Sequence, residues 1–261
     1  MKSHLLRKRL LPILSMLALG WACQLQAQDW TRFRGPNGTG YVKDGSIPST
    51  WTAQDISWTT TLPGGGISSP VAWGDKIFLL AADKTSAQRL VVCIDLKSGK
   101  LLWRVPFDSV PHHLHQRNRF ASSTPCCNAT HVYVAWSEPQ HTTVTCLSHD
   151  GNVIWQKDLG TWQSQHGFAT SPMLYDDMVV VFDSQQADQL KPGEEPGESM
   201  MVAMNQKTGD IVWQTPMATT RVCYGTPCVY QPPERSLNWL TPTRGTDCLA
   251  WTHRRVRCCG A

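Results

Sequence analysis

The chain has 261 residues, 41% of them hydrophobic, with 19 Gly, 17 Pro and 12 Trp, which is the composition of one or two soluble globular domains. Its formal charge of +4 sits at the two ends: residues 1–27 carry Lys2, Arg7, Lys8 and Arg9 and no acid, and 235–261 carry five Arg and one Asp. The body between 28 and 234 keeps 15 basic and 19 acidic residues, a net of −4, and this argues against a nucleic-acid-binding role.

Residues 1–27 read as a secretory signal peptide. The basic start is followed by an apolar run, Leu10 to Ala22, that is short for a bilayer span, and cleavage after Ala27 would follow. The expected location is therefore the periplasm or the outside of the cell. A lipid on Cys23 is a weaker alternative, because the neighbouring Trp21 is bulky for a processing site.

Residues 28–63 form a lead-in. The stretch Trp30-Thr31-Arg32-Phe33-Arg34-Gly35-Pro36-Asn37-Gly38 is too rich in Gly and Pro for a helix, and it is expected to pack over the first repeat. The run 56–62, with Trp58, reads as a strand that completes a ring.

From Gly64 the sequence repeats. Pro70, Pro125 and Pro172 each precede by seven residues an apolar strand residue, Ile77, Val132 and Val179, which predicts one register for three hairpins. Each unit ends in a second hairpin. Gly99, Gly151 and Gly209 lie in polar turns four residues before Trp103, Trp155 and Trp213, and Gly supplies the positive φ that such turns need. Counting Trp58, the tryptophans are spaced by 45, 52 and 58 residues. Four strands per unit with one aromatic motif predict an all-β fold, a β-propeller built from blades at 64–107, 108–160 and 161–217. Trp58, Trp103, Trp155 and Trp213 are then blade-docking residues, buried where one blade stacks on the next. Gln189 to Ser199 reads as a polar loop inserted into the third blade.

The chain holds 10 Cys. Cys93 and Cys146 fall in the strand position that Ala203 fills in the third unit, and Cys126, Cys127 and Cys228 fall in positions that other units fill with apolar residues. They read as small core hydrophobes rather than as metal or redox groups.

These motifs carry a resemblance. The segment from Ile94 to Trp103 and the one from Asn205 to Trp213 resemble the tryptophan-docking motif of the pyrroloquinoline-quinone-type propeller repeat, and the Trp30–Pro36 stretch looks like the start of secreted bacterial members. The resemblance covers about residues 29–233. It implies a propeller that commonly closes with seven or eight blades, either a non-enzymatic type similar to the outer-membrane assembly lipoprotein or a quinone-dependent dehydrogenase. The leading reading is an exported, non-enzymatic binding or scaffold module whose partner is a protein or a small molecule. The alternative is a dehydrogenase of alcohols or sugars that carries the quinone and calcium. An adjacent cysteine pair like Cys126-Cys127 is a feature of those enzymes, but the sequence offers no catalytic Asp, calcium ligands or aromatic floor to go with it.

A fourth blade starts at 218–234, with Tyr224-Gly225-Thr226-Pro227 on schedule. Residues 235–261 then lose the pattern, and no alternating run there predicts a strand or a helix. An aberrant tail on an incomplete ring, and hence a fragment that associates through exposed blade edges, is the expectation.

No catalytic, cofactor-binding or metal-binding residue is assigned. His112-His113-Leu114-His115 lacks the spacing of a zinc motif and reads as a loop. His115, Asn118 and His166 stand just before the first strands of two blades. The first strand of a blade is the innermost, so these three are candidate ligand contacts at the mouth of the central channel, with polar capping of the strand starts as the plainer role.

Overall fold

The computed structural model of the protein describes residues 29–42 and 48–230, together with the backbone of 238–242 and 248–252. The predicted signal peptide 1–27, with Cys23, lies outside the described residues, as does most of 235–261.

Three four-stranded antiparallel sheets follow one another along the chain. The first contains β1 (Val71–Trp73), β2 (Lys76–Ala82), β3 (Arg89–Asp95) and β4 (Leu101–Phe107). The second contains β5 (Cys126–Cys127), β6 (His131–Glu138), β7 (His141–Ser148) and β8 (Val153–Asp158), and the third β9 (Met173–Tyr175), β10 (Met178–Asp183), β11 (Ser199–Asn205) and β12 (Ile211–Met217). Each sheet is a meander in sequence order, the blade of a β-propeller. The common offset from proline is realised as one register, since Ala72 pairs with Ile77, Cys127 with Val132 and Leu174 with Val179.

A β-bulge recurs at one place in all three blades. Cys93, Cys146 and Ala203 lie opposite Trp103, Trp155 and Trp213, and the next pairing skips Leu102, Ile154 and Val212. The extra residue bends the outer strand and re-aims the indole. Small residues face the three tryptophans across the ladder, and so two of the cysteines stand where a larger side chain would crowd a ring.

Each indole then covers the glycine turn of the following blade. A Cβ on Gly99 would stand 2.4 Å from the Trp58 ring, one on Gly151 3.1 Å from Trp103, and one on Gly209 2.7 Å from Trp155. The three glycines have φ of 70, 86 and 74°. The ring nitrogens of Trp58, Trp103 and Trp155 donate to the carbonyls of Leu96, His149 and Gln206 at 3.0, 2.9 and 2.9 Å. Trp155 is buried, whereas Trp58, Trp103 and Trp213 are half-buried. Burial is the expectation for all four, and three of them are only half-buried. Trp58 and Trp103 nevertheless each hold a ring against a glycine turn.

The two largest core clusters lie between blades, and a smaller one, Leu79, Ala81, Leu90, Val92 and Ile94, covers the outer face of the first blade beneath Trp58. One cluster joins Val71, Phe78, Leu80 and Val91 of the first blade to Val132, Val134 and Leu147 of the second. Another joins Tyr133, Ala135 and Cys146 of the second to Val179, Val181 and Val202 of the third.

Around the axis, the residues just before the prolines form a belt. The Ser69 amide donates to the Thr124 hydroxyl at 3.0 Å, and the Thr124 amide to the Ser171 hydroxyl at 2.9 Å. At the other end of the inner strands the lead-in crosses all the blades. Trp30 exchanges two main-chain bonds with Ala72, and Cys127 donates to the Thr31 carbonyl at 2.9 Å. Arg32 donates to the Met173 sulfur at 3.5 Å and the Pro227 carbonyl at 2.5 Å, and the Asn37 amide exchanges two bonds with Val229 at 2.9 and 3.0 Å. The lead-in was expected over the first blade, and it reaches four.

Two further expectations are corrected. Residues 56–62 form no strand. A strand needs a ladder partner, and among the described residues none lies beside this run, which instead carries Trp58 onto the Gly99 turn. Conversely, β14 (Asn238–Pro242) and β15 (Cys248–Thr252) lie in the segment where no strand was predicted. They pair with β13 (Cys228–Tyr230) as a three-stranded sheet that extends the fourth blade. The open edge of β13 offers main-chain donors and acceptors to any extended segment, with no need for side-chain alternation.

Candidate functional site

The inner strands begin at one end of the axis, and their entries surround a cavity of about 400 Å³. Three of its walls, Ile67, Ala169 and Tyr224, stand three residues before Pro70, Pro172 and Pro227, so equivalent positions of three blades converge there. The second blade contributes a loop in place of that residue, and its own third residue before proline, Ser122, points its hydroxyl at Asn118. The loop supplies His115, Arg117 and Asn118, and the third blade adds His166.

The structure brings His115, Asn118 and His166 together. The two imidazoles meet edge to face with centroids 4.9 Å apart. Asn118 donates from Nδ2 to the His166 carbonyl at 2.7 Å and accepts from the Arg119 amide at 2.8 Å and from the Ser122 hydroxyl. Its amide is engaged with protein on both sides, so Asn118 positions the wall. His115 Nδ1 accepts from the Arg117 amide at 3.2 Å, and a neutral His115 ring therefore carries its proton on Nε2, as a donor. A Cβ on Gly167 would stand 2.4 Å from Leu114 and 2.6 Å from the Asn118 amide, so the wall closes only over glycine.

A second cavity, of about 490 Å³, lies on the other side of His115 and Asn118 and is lined in part by Lys84, His112, Arg119 and Phe120. His112 packs edge-on to Phe120, and burial holds its imidazole below the usual His range. Sequence reasoning passed over Lys84, Arg117, Arg119 and Tyr224. The signal for Tyr224 was present, since its offset from Pro227 equals that of Ile67 from Pro70.

The cysteines behave as core. Cys93, Cys126, Cys127 and Cys146 are buried free thiols, and Cys223 is buried as well. Burial pushes Cys93, Cys127 and Cys146 up to about 12 and Cys126 well above the usual thiol range. Successive residues of a strand face opposite ways: Cys126 belongs to the cluster between the second and third blades, Cys127 to the one between the first and second. The adjacent pair thus serves two interfaces. Among the described residues no group of three His, Cys, Asp or Glu is placed to hold a metal ion. The mouth's donors are imidazole, guanidinium, amide and phenol, which do not suit calcium, an ion that takes carboxylate and carbonyl oxygens. A quinone site with calcium therefore does not fit these residues.

The sequence model of the family described as "Outer membrane protein assembly factor BamB" matches residues 87–223, just over half of the chain. No curated protein matches. Among solved structures, BamB from Moraxella catarrhalis is 14% identical with a TM-score of 0.39, covering 71% of this chain and 61% of its own. A europium-containing methanol dehydrogenase is 14% identical with a TM-score of 0.49, covering 72% and 32%. Quinohemoprotein alcohol dehydrogenase from Comamonas testosteroni is 14% identical with a TM-score of 0.48, covering 74% and 28%. The chain spans about a third or less of the two dehydrogenases it resembles.

Proposed function

We propose that this chain, which belongs to the family described as outer membrane protein assembly factor BamB, is an exported, non-enzymatic binding or scaffold module that takes its ligand at the channel mouth. The observation that carries the reading is the mouth itself: equivalent positions of three blades and one loop converge on a cavity of about 400 Å³, a size suited to a ligand side chain or small molecule. Its polar groups are two imidazoles, a guanidinium, the Tyr224 phenol and an amide already engaged with protein, a set with no carboxylate pair and no serine or cysteine nucleophile among the described residues. The basic-then-apolar start of the sequence supports export, and N-terminal sequencing of protein from cell fractions checks it. A cytoplasmic product that keeps Met1 to Ala27 contradicts export.

The dehydrogenase reading is tested by adding pyrroloquinoline quinone and calcium and following dye-linked oxidation of alcohols and sugars. No turnover is expected. Turnover would overturn the binding-module reading.

A further inference from the structure

The two cavities at the channel mouth share one wall, His115 and Asn118. Their combined lining carries Arg117, Arg119 and Lys84, and three imidazoles, His112, His115 and His166. Among the described residues no carboxylate lines either cavity. The neighbouring acids are engaged by other groups: Asp83 accepts from the amides of Thr85 and Ser86 and from the Ser86 hydroxyl, Asp108 accepts from Gln88 Nε2 at 3.1 Å, and Glu138, whose charge is felt at His112, accepts from Ser109 and Val110. A cationic groove therefore lies on a body whose net charge is −4. Such a local reversal of sign steers and selects an anionic partner. Apolar surface is interleaved with the bases, Ile67, Ala169 and Tyr224 in one cavity and Leu114 and Phe120 in the other.

We propose that this groove binds an acidic peptide segment that enters both cavities across the His115–Asn118 wall. The inference rests on the binding-module reading above and names its ligand class. A small anion would meet the cations of one cavity only, whereas the bases are distributed over both, with Arg117 in the first and Lys84 and Arg119 in the second. A peptide alternating acidic and apolar side chains matches the interleaving. A nucleic acid would bring a long run of phosphates against the acidic remainder of the body.

The test uses the full chain and a fluorescein-labelled peptide of alternating Glu and Leu, followed by anisotropy. Binding is expected, weakened by added salt and by about tenfold in Arg117→Glu and again in Lys84→Glu. Lys100→Glu, on the Gly99 turn, is expected to bind as the parent does, and near-UV dichroism checks that every variant is folded. A Lys-Leu peptide is expected not to bind. No binding of the Glu-Leu peptide, equal binding by Arg117→Glu and Lys84→Glu, or tighter binding of a single-stranded oligonucleotide would each overturn the proposal. If the peptide fails while the quinone assay is also silent, the acidic class is wrong and the binding-module reading stands. Turnover in the quinone assay removes that reading itself.

Discussion

Gly99 and Gly151 do the same job with different clearance. Both hold a positive φ beneath an indole, but an added Cβ would come within 2.4 Å of Trp58 at Gly99 and within 3.1 Å of Trp103 at Gly151. The left-handed backbone costs a non-glycine residue about 1–2 kcal/mol at either site. Overpacking then adds about 1–3 kcal/mol where the ring cannot yield. Gly99→Ala is therefore expected to lower stability by roughly 2–5 kcal/mol and Gly151→Ala by about 1–2 kcal/mol, read from urea midpoints. Equal losses would mean that the indoles give way freely. Asp183 poses a different question. It is 4% exposed, Gln185 Nε2 donates to its Oδ2 at 3.1 Å, and burial raises its carboxyl to about 7. The folded chain thus holds this proton where the unfolded chain has released it. Its contribution is full below the usual carboxylate range near 3.8 and is lost as pH rises through about 7. Asp183→Asn keeps the shape and removes the titration. The parent is expected to lose up to about 4 kcal/mol between pH 4 and 8 from this group, and the variant to be flatter over that window, by urea midpoints at each pH. A parallel decline in both would place the titration elsewhere. The docking glycines were legible in the sequence because offset and turn chemistry coincide. Asp183 was not, since nothing in a Val-Phe-Asp-Ser run says that the carboxyl will be buried with Gln185 as its donor.

At the scale of the strand, the bulge before each Trp decides where the indole goes. Leu102, Ile154 and Val212 are the skipped residues, and all three are exposed. Removing one would make the ladder regular and keep the Trp opposite its small partner and on the same face, since Val153 already pairs with Leu147 and Trp155 with Cys146. What is lost is the local bend that aims the ring. Deleting Ile154 is therefore expected to loosen the seat of Trp155 on the Gly209 turn and its bond to the Gln206 carbonyl without turning the ring away from Cys146. Tryptophan emission should move slightly to the red, with a loss of stability of about 1–3 kcal/mol. An unchanged emission maximum would show that the ladder absorbs the deletion elsewhere. The inner hairpins were legible because one proline offset recurs in three units. The bulge was not foreseen, although the constant Gly-to-Trp offset and the small residue opposite each Trp are its traces. The run 56–62 and the strands β14 and β15 mark the limit of pattern reading. Whether an extended segment becomes a strand depends on an open ladder edge beside it, and side-chain alternation does not encode that edge.

For the molecule as a whole, stacked blades touch only their neighbours, so an array of them should loosen from its ends. The lead-in changes that expectation. Its eight residues from Trp30 to Asn37 bond to the inner strands of the first, second, third and fourth blades. Arg32 is 6% exposed, burial holds its guanidinium below the usual Arg range, and among the described residues it has no carboxylate partner within salt-bridge distance. A buried cation without an anion is costly, and the contacts to Pro227 and Met173 partly offset that cost. The mouth at the opposite end of the axis was legible for a related reason: residues before innermost strands must gather, whatever their chemistry. The lead-in's reach was not legible, because its contacts run through main chain and two polar side chains separated from their partners by as many as 195 residues. If the strap couples the blades, loosening it should release the far one first. Asn37→Ala removes both bonds to Val229 and is expected to cost about 1–3 kcal/mol locally. Hydrogen exchange followed by mass spectrometry should then show the amides of β13 losing protection about tenfold or more, while β6 and β7, packed between two blades, keep theirs. Uniform loss across all blades would mean that the fold opens as one unit with or without the strap. Unchanged exchange at β13 would mean that the fourth blade is held by its contact with the third through Met173, Cys223 and Val229, and the lead-in only rests on it.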